Sequence, residues 1–383
     1  MTATMRCADE HRADDVAKLA FKRVPADVDR LLMLQQVEGR QLAQTKLPEW
    51  SSTPGIVYPP RVSMEQCSSQ STALLKADLV IGDSLVDLTG GLGVDFSYMS
   101  RKVSRATYVE RDTRLAALAN HNFAALSLKG VTVVNDSAES FVKTMSPVDT
   151  VFVDPSRRDI NGKRFFAIAD CEPDMTTLAP QLLSVAKRVI VKLSPMLDIT
   201  AALRVLPPVS RVIVVGVKNE CKELLIVMDR DRSSSPVVEC VADDRRFSYS
   251  MDDPSPAIVY WKGDLKSCPY LYDPDATLMK VGCHARVAAR FGLSIVADNS
   301  HLMLGDRVAD DFPGRVFRLI GIVSASVASL SALKRANVAV RNFNMTAVQL
   351  RDRLKLKDGG DTYIFGTTTA KGKRVLLMAT PLD

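Results

Sequence analysis

Asp87, Glu110, Asp136 and Asp154 each stand at the end of a short β-rich run: Leu85–Leu88, Ala106–Val109, Val131–Val134 and Thr150–Val153. Acids at successive strand ends converge on one edge of an open sheet, where such folds hold ligands. The stretch from Asp87 through Thr89, Gly90, Gly91 and Gly93 to Asp95 ends a strand and opens a helix. Its glycines allow a tight turn and close approach of backbone to ligand. Glu110 follows Gly93 by seventeen residues and can accept from both hydroxyls of a ribose. Asp136, with Ser137 and Ala138 beside it, can accept from an adenine amine while a backbone N–H donates to the ring. A dinucleotide fingerprint would require glycine at position 96, which is Phe. The fourth run ends in Asp154, Pro155, Ser156, Arg157 and Arg158. An amine on an aromatic base is a poor nucleophile, because its lone pair is delocalised into the ring. A carboxylate and a backbone carbonyl that accept its two hydrogens would localise that pair, and Pro155 would keep the turn rigid. Group transfer to it is then a matter of positioning.

The elements that position these residues read as alternating strands and helices. Further apolar runs are Val189–Val191, Val212–Val215 and Leu224–Val227, and a helix is predicted over Arg114–Leu126. Fully apolar strands alternating with helices form a parallel sheet covered on both faces. Only Gly216–Glu223 separates the last two strands, too short for a crossover helix, so they pair as an antiparallel hairpin. The N-terminal fifty residues read as helical, with Leu31, Leu34 and Leu42 at near-helical spacing. Pro48, Pro54, Gly55, Pro59 and Pro60 read as a linker, and a helix is expected from about Ser69 to Asp78. The polar stretch Asp229–Pro236 reads as an interdomain linker.

Composition narrows the class. The chain has 383 residues, 46% hydrophobic and 25% charged, with Gly and Pro at 19 each. These values exclude disorder, collagen and a disulfide mini-scaffold. No apolar run approaches a membrane span, and the charged first fifteen residues offer no signal peptide. Seven scattered cysteines without CxxC spacing read as reduced thiols of a cytoplasmic protein. Histidines 11, 121, 284 and 301 form no ligand or base pattern, and no metal is expected. The net charge of +6 is concentrated in residues 331–383, which hold ten bases against four acids. Such a module suggests a polyanion partner, most simply nucleic acid; the other reading is a solvated basic face.

Asp154-Pro155 resembles the Asp/Asn-Pro-Pro-aromatic motif of methyltransferases that modify base amines. Ser156 and Arg157 depart from its second proline and its aromatic. Arg157 or Arg158 could stack on a base, fork a phosphate or form a surface ion pair. Phe165 and Phe166, after the Asn161-Gly162 turn, could stack on a base or pack in the core. Five parallel units closed by a hairpin match the layout of class I S-adenosylmethionine (SAM) methyltransferases. Leu34–Gln41, Met64–Ser69, Asp87–Asp95 and Asp154–Arg158 resemble a bacterial family of that class with a C-terminal THUMP-like domain. Tyr270–Pro274, Asp311–Arg315, Val340–Phe343 and Leu354–Asp361 extend the resemblance over nearly the whole chain.

The resemblance implies an α/β protein whose Rossmann-like sheet has five parallel strands closed by an antiparallel hairpin. It implies a helical region at 1–60, a methyltransferase domain at 61–230, a ferredoxin-like region at 231–314 and a basic THUMP-like domain at 315–383. It implies SAM held by Asp87, Gly90, Gly91, Gly93, Asp95, Glu110, Asp136 and Ser137. Gln66 and Ser68 would lie near its methionine end, although Ser68 and Ser69 could equally cap a helix. Asp154 and Pro155, with Arg157 and Arg158, would face the target. Lys192 reads as an exposed strand-end lysine, with the cleft as its alternative. RNA is the implied partner, and a base amine the implied target, as in the more distantly similar cap-guanine methyltransferases. A methyltransferase for proteins or small molecules, and an RNA-binding protein with a degenerate core, are the rival functions.

Overall fold

The computed structural model describes residues 2–157, 168–231, 235–262, 269–323 and 333–382. The chain forms two units, Met1–Arg211 with Leu225–Ser234, and Val212–Leu224 with Ser235–Asp383. It passes from one to the other after Arg211, after Leu224 and again within the polar stretch that follows Asp229.

In the first unit, β1 (Ser84–Asp87), β2 (Arg105–Val109), β3 (Val131–Val134), β4 (Val148–Val153) and β5 (Ala186–Leu193) are mutually parallel. Their order is β3-β2-β1-β4-β5. The chain winds outward one way from β1 and then the other way from β4, so the switch point lies between these two central strands. The register pairs Asp87 with both Tyr108 and Phe152, Val109 with Val134, and Val153 with Val191. The residues that follow each strand therefore lie along one carboxyl edge. Val151, Val153, Val189, Ile190 and Val191 are fully buried, as strands covered on both faces require. The helix expected over Arg114–Leu126 runs Thr113–Ala125, with Asp112 accepting from the Arg114 and Leu115 N–H groups as its N-cap.

β6 (Arg211–Val217) and β7 (Glu220–Asp229) are joined by Lys218–Asn219, whose φ angles are 51° and 60°. Two left-handed residues make the turn whose twist suits an antiparallel hairpin. The boundary between the units runs through this hairpin. Its Leu225–Asp229 half lies beside β5, where Arg188 holds Asp229 at 2.6 Å.

The N-terminal region departs from expectation in two ways. Its long helix spans Arg30–Lys46, but Leu31 is 80% exposed, and the buried positions include Met33, Gln36, Val37 and Ala43. The Pro-rich stretch is no free linker. It contains a short helix, Pro48–Ser52, and buries Trp50, Ile56 and Tyr58. The Gln36 side chain accepts from the Tyr58 N–H at 2.8 Å and donates to the Tyr58 carbonyl at 2.9 Å. Asn122 does the same for Val57, at 2.9 Å in both directions. Prolines break secondary structure, but here side-chain amides take the place of a neighbouring strand.

The second unit carries a seven-stranded sheet among its described residues. In spatial order its strands are Ser294–Ile295, Met303–Gly305, Tyr270–Pro274, Gly314–Val323, Arg374–Pro381, Tyr363–Thr368 and Asn337–Arg341. All neighbours are antiparallel except the last pair. Asp273, 1% exposed, is held by Arg315 at 2.7 Å and Arg341 at 3.0 Å. Among the described residues, no helix is long and apolar enough to cross a membrane.

Candidate active site

The carboxyl edge of the first unit's sheet opens into a pocket of about 520 Å³. Gln66, Cys67, Thr89, Gly91, Glu110, Asp136, Ser137 and Asp154 are among the residues that line it. The strand registry brings these together from positions far apart in sequence.

The glycine loop takes its shape from aromatic neighbours. Phe96, Tyr108 and Phe123 pack with centroids 5.0–5.4 Å apart. A Cβ on Gly90 would lie 2.2 Å from the Tyr108 ring, so only glycine lets the loop lie this close to β2. Gly93 has φ of +77°, and a Cβ there would meet the Phe123 ring at 2.6 Å. The Tyr108 hydroxyl donates to the Gly91 carbonyl at 2.5 Å.

Glu110 is fixed by backbone donors. The Gly91 N–H reaches its Oε2 and the Asp112 N–H its Oε1, each at 2.7 Å. Each carboxylate oxygen keeps a second lone pair for a ligand hydroxyl. Beyond it, the Ser137 N–H reaches Asp136 Oδ1 at 2.8 Å, and the Ser137 hydroxyl accepts from the Ser140 N–H at 3.2 Å. Ser137 is therefore a helix cap as well as a pocket residue.

Asp154 lies across the switch point from the glycine loop. Its backbone N–H donates to Thr89 Oγ1 at 2.6 Å, which ties the end of β4 to the loop after β1. The Asp154 side chain is 40% exposed and Oδ2 accepts from Lys192 Nζ at 2.5 Å. Burial pushes its pKa above the ordinary carboxylate range, with the Lys192 ammonium opposing. Asp87 is buried behind the loop and accepts from the Thr89 N–H at 3.0 Å. Burial drives its pKa well above the usual value; the Thr89 N–H opposes this, and Asp95, Asp154 and Glu110 add to it.

Ser68, Asp87, Gly90, Gly93 and Asp95, all expected to touch the cofactor, are not among the residues that line the pocket. Ser68 and Asp95 are buried, with the Ser68 hydroxyl 2.7 Å from Asp95 Oδ2. Lys76, fully buried, stands 3.1 Å from Asp95 Oδ1. Burial pushes Asp95 upward, but Lys76 and Lys192 outweigh it and hold its pKa below the ordinary range. Ser69, not Ser68, caps the helix Gln70–Ala77 by accepting from the Thr72 N–H at 3.3 Å. Lys192 is a correction: its side chain is 14% exposed and paired, not a solvated strand end. The residue before Asp154 pairs with the one before Lys192, and two long-reaching opposite charges at adjacent strand ends meet.

Lys76 and Thr89 were not singled out from the sequence. Lys76 carried a signal: it shares a helix face with Ala73 and Ala77, and a charge on an apolar face needs a buried partner. The Ser156 and Arg157 backbones pair with Glu172 and Cys171, and Glu172 and Pro173 reach the pocket wall. The roles expected of the Arg157 side chain, of Arg158 and of the Asn161–Phe166 excursion lie outside the described residues. Among the described residues, no group of three or more His, Cys, Asp or Glu could hold a metal ion.

A parallel sheet with a glycine loop after its first strand, and acids after the next strands, defines a class I SAM-dependent methyltransferase. The chain matches family models described as THUMP domain-like over residues 314–381, ferredoxin-like over 270–313 and conserved hypothetical protein 95 over 71–163. A Porphyromonas gingivalis W83 structure, solved as a candidate methyltransferase, superposes with a TM-score of 0.88 at 32% identity, over 100% of this chain and 98% of that one. An S-adenosylmethionine-dependent methyltransferase of Mycobacterium tuberculosis, itself described as uncharacterized, is 24% identical over 299 residues. That match covers 77% of this chain and 80% of the relative. The chain belongs to the family of class I SAM-dependent methyltransferases with a C-terminal THUMP-like domain. SAM is its cofactor, and the pocket fits the group: it has open volume for a nucleoside, and the Glu110 carboxylate on its wall keeps lone pairs free for donors.

Proposed function

We propose that this methyltransferase modifies an exocyclic base amine of a structured RNA. One observation carries the reading: Asp154, anchored through Thr89 beside the glycine loop, presents a partly open carboxylate to the pocket. Bound there, SAM supplies an electrophilic methyl group on a sulfonium. Glu110 takes the ribose hydroxyls, Asp136 the adenine amine, and Asp87, Gly91 and Gly93 shape the floor. Gln66 and Cys67 lie on the wall where the methionine end would rest. Asp154 and the carbonyl of Pro155 accept the two hydrogens of the target amine and turn its lone pair toward the methyl group. Such acceptors act mainly in the transition state, where the nitrogen gains positive charge.

The RNA part of the reading rests on the THUMP-like match and on charge. THUMP-type domains are associated with RNA binding. Lys334, Arg335, Arg353, Lys355, Lys357, Lys371, Lys373 and Arg374 are all exposed and available to phosphates. The test is nucleoside mapping of RNA from cells with and without the gene. A methylated base amine that disappears with the gene supports the proposal; an identical nucleoside inventory overturns it.

A further inference from the structure

Two lysines behind the acidic rim have no part in the reaction as described so far. Lys192 Nζ lies 2.5 Å from Asp154 Oδ2 and 3.6 Å from Asp95 Oδ2. Asp95 in turn stands 3.1 Å from Lys76, whose side chain is wholly buried. The charges alternate from the pocket wall inward: Asp154, Lys192, Asp95, Lys76. Burying Lys192, Asp95 and Lys76 is costly unless each charge has its partner.

We propose that Lys192 is a positioning residue for methyl transfer: its ammonium takes one oxygen of Asp154, leaves the other for the target amine, and keeps the carboxyl group ionised. The proposal rests on the reading of Asp154 as the amine acceptor. Ionisation matters because a protonated carboxyl presents an O–H donor where the amine needs an acceptor. Among the described residues, charges face Asp154 from several elements. Asp87 faces it from β1, Asp95 from the helix Val94–Met99, Lys76 from the helix Gln70–Ala77 and Lys192 from β5, while Glu110 and Glu172 share its pocket. Burial and the acids favour the neutral form of Asp154, and the lysines favour the charged one. Lys192 is the nearer lysine and the one in direct contact. Among the described residues, removing it leaves Asp154 among acids with the more distant Lys76 to offset them.

The measurement reads Asp154 directly, by carboxyl carbon-13 NMR of protein labelled at aspartate, its resonance identified by loss in Asp154→Asn. In Lys192→Met the Asp154 titration moves to higher pH, by about one unit or more, since a cation that favoured the charged form is gone. In Lys192→Arg, which keeps the charge, the titration stays near that of the wild type. Lys192→Gln provides the same comparison should the Met variant not fold. Methyl transfer from labelled SAM to total RNA of cells lacking the gene is then followed against pH. The acid limb moves upward in the neutral variants and is restored by Arg. An Asp154 titration that does not move in a folded neutral variant overturns the positioning role. Full transfer by Asp154→Ala would instead overturn the amine reading itself, so the two failures are told apart.

Discussion

Thr89 and Asp154, sixty-five residues apart, are joined by one hydrogen bond: the Asp154 N–H reaches the Thr89 hydroxyl at 2.6 Å. The bond bridges the two central strands where the winding reverses, so the glycine loop and Asp154 share one frame. Asp154→Ala keeps this backbone bond and removes only the carboxylate. Binding of SAM should therefore change little, while methyl transfer falls about a hundredfold or more, as when a single electrostatic stabiliser is lost. Asp154→Asn, which keeps one acceptor oxygen, should fall less. Calorimetry with SAM and single-turnover transfer separate the two effects.

Glu110 serves two masters. Its oxygens hold the Gly91 and Asp112 N–H groups, and in the proposed complex they also accept from the ribose. Glu110→Ala should weaken SAM binding by about 1.5–3 kcal/mol for each ribose hydrogen bond lost, with a further loss from the loosened loop. Glu110→Gln, which keeps one acceptor, should lie between. Unchanged calorimetric affinity in the Ala variant would remove Glu110 from the cofactor site.

Gly90→Ala tests the loop from beneath. Its methyl group would meet the Tyr108 ring at 2.2 Å, and that ring is itself wedged between Phe96 and Phe123. Overpacking of this kind costs about 1–3 kcal/mol. Thermal melting should show the loss, and SAM binding should weaken as the loop is pushed outward. Tyr108→Ala in the same chain should return part of the stability.

The basic residues of the second unit are not equivalent. Arg341 is tied to Asp273 and Arg351 to Asp358, whereas Arg353, Lys355 and Lys357 are exposed. Replacing the exposed three with Gln should lower the slope of RNA affinity against salt by roughly one unit per lost phosphate contact. Arg341→Gln should instead lower stability, by leaving the buried Asp273 short of a partner. Filter binding over a salt series, with a melt for each variant, distinguishes the groups.

Asp149 gives the sheet an acid limit. Lys187 lies 2.7 Å from its Oδ1, and its Oδ2 accepts the Asp83 and Ser84 N–H groups and the Ser84 hydroxyl. Lys187 foremost, then these donors, hold its carboxyl far below the ordinary range. A depressed folded pKa stabilises in full above the unfolded value of about 3.9, and that stabilisation is lost progressively as pH falls from there through the folded pKa. Asp149→Asn should therefore lower the melting temperature by more at pH 7 than at pH 2, because the stabilisation shrinks steadily between the unfolded pKa and the still lower folded one. Melts at the two pH values check the sign.

The parallel sheet was legible in the sequence because fully buried strands are written as unbroken apolar runs. The hairpin was legible because eight residues cannot hold a crossover. Glu110, Asp136 and Asp154 could be picked out because strand ends are where apolar runs stop. Lys192 was misread for the same reason: a lysine at a strand end is usually solvated, and only the pairing of β4 with β5 shows its carboxylate neighbour. Leu31 was misplaced because hydropathy put a leucine inward, whereas the buried face is chosen partly by Gln36, a polar residue with a backbone to satisfy. The proline-rich stretch before Arg61 looked like a break for the same reason, since its partners are side chains sixty-five and twenty-two residues away.

Those partners tie Val57 and Tyr58 into the folded first unit. The main-chain amides of Val57 and Tyr58 donate into two buried carboxamides, one on a helix of the N-terminal region and one on the helix between β2 and β3. Each hydrogen exchanges with solvent when its own carboxamide partner lets go, so both should take up deuterium slowly compared with exposed loop amides. A fragment beginning at Arg61 would leave Asn122, fully buried here, with an amide and no peptide to meet it. The N-terminal region is thus bound into the cooperativity of the catalytic sheet, and loosening it would be felt at the helix that supports Phe123 and, through that ring, at the glycine loop.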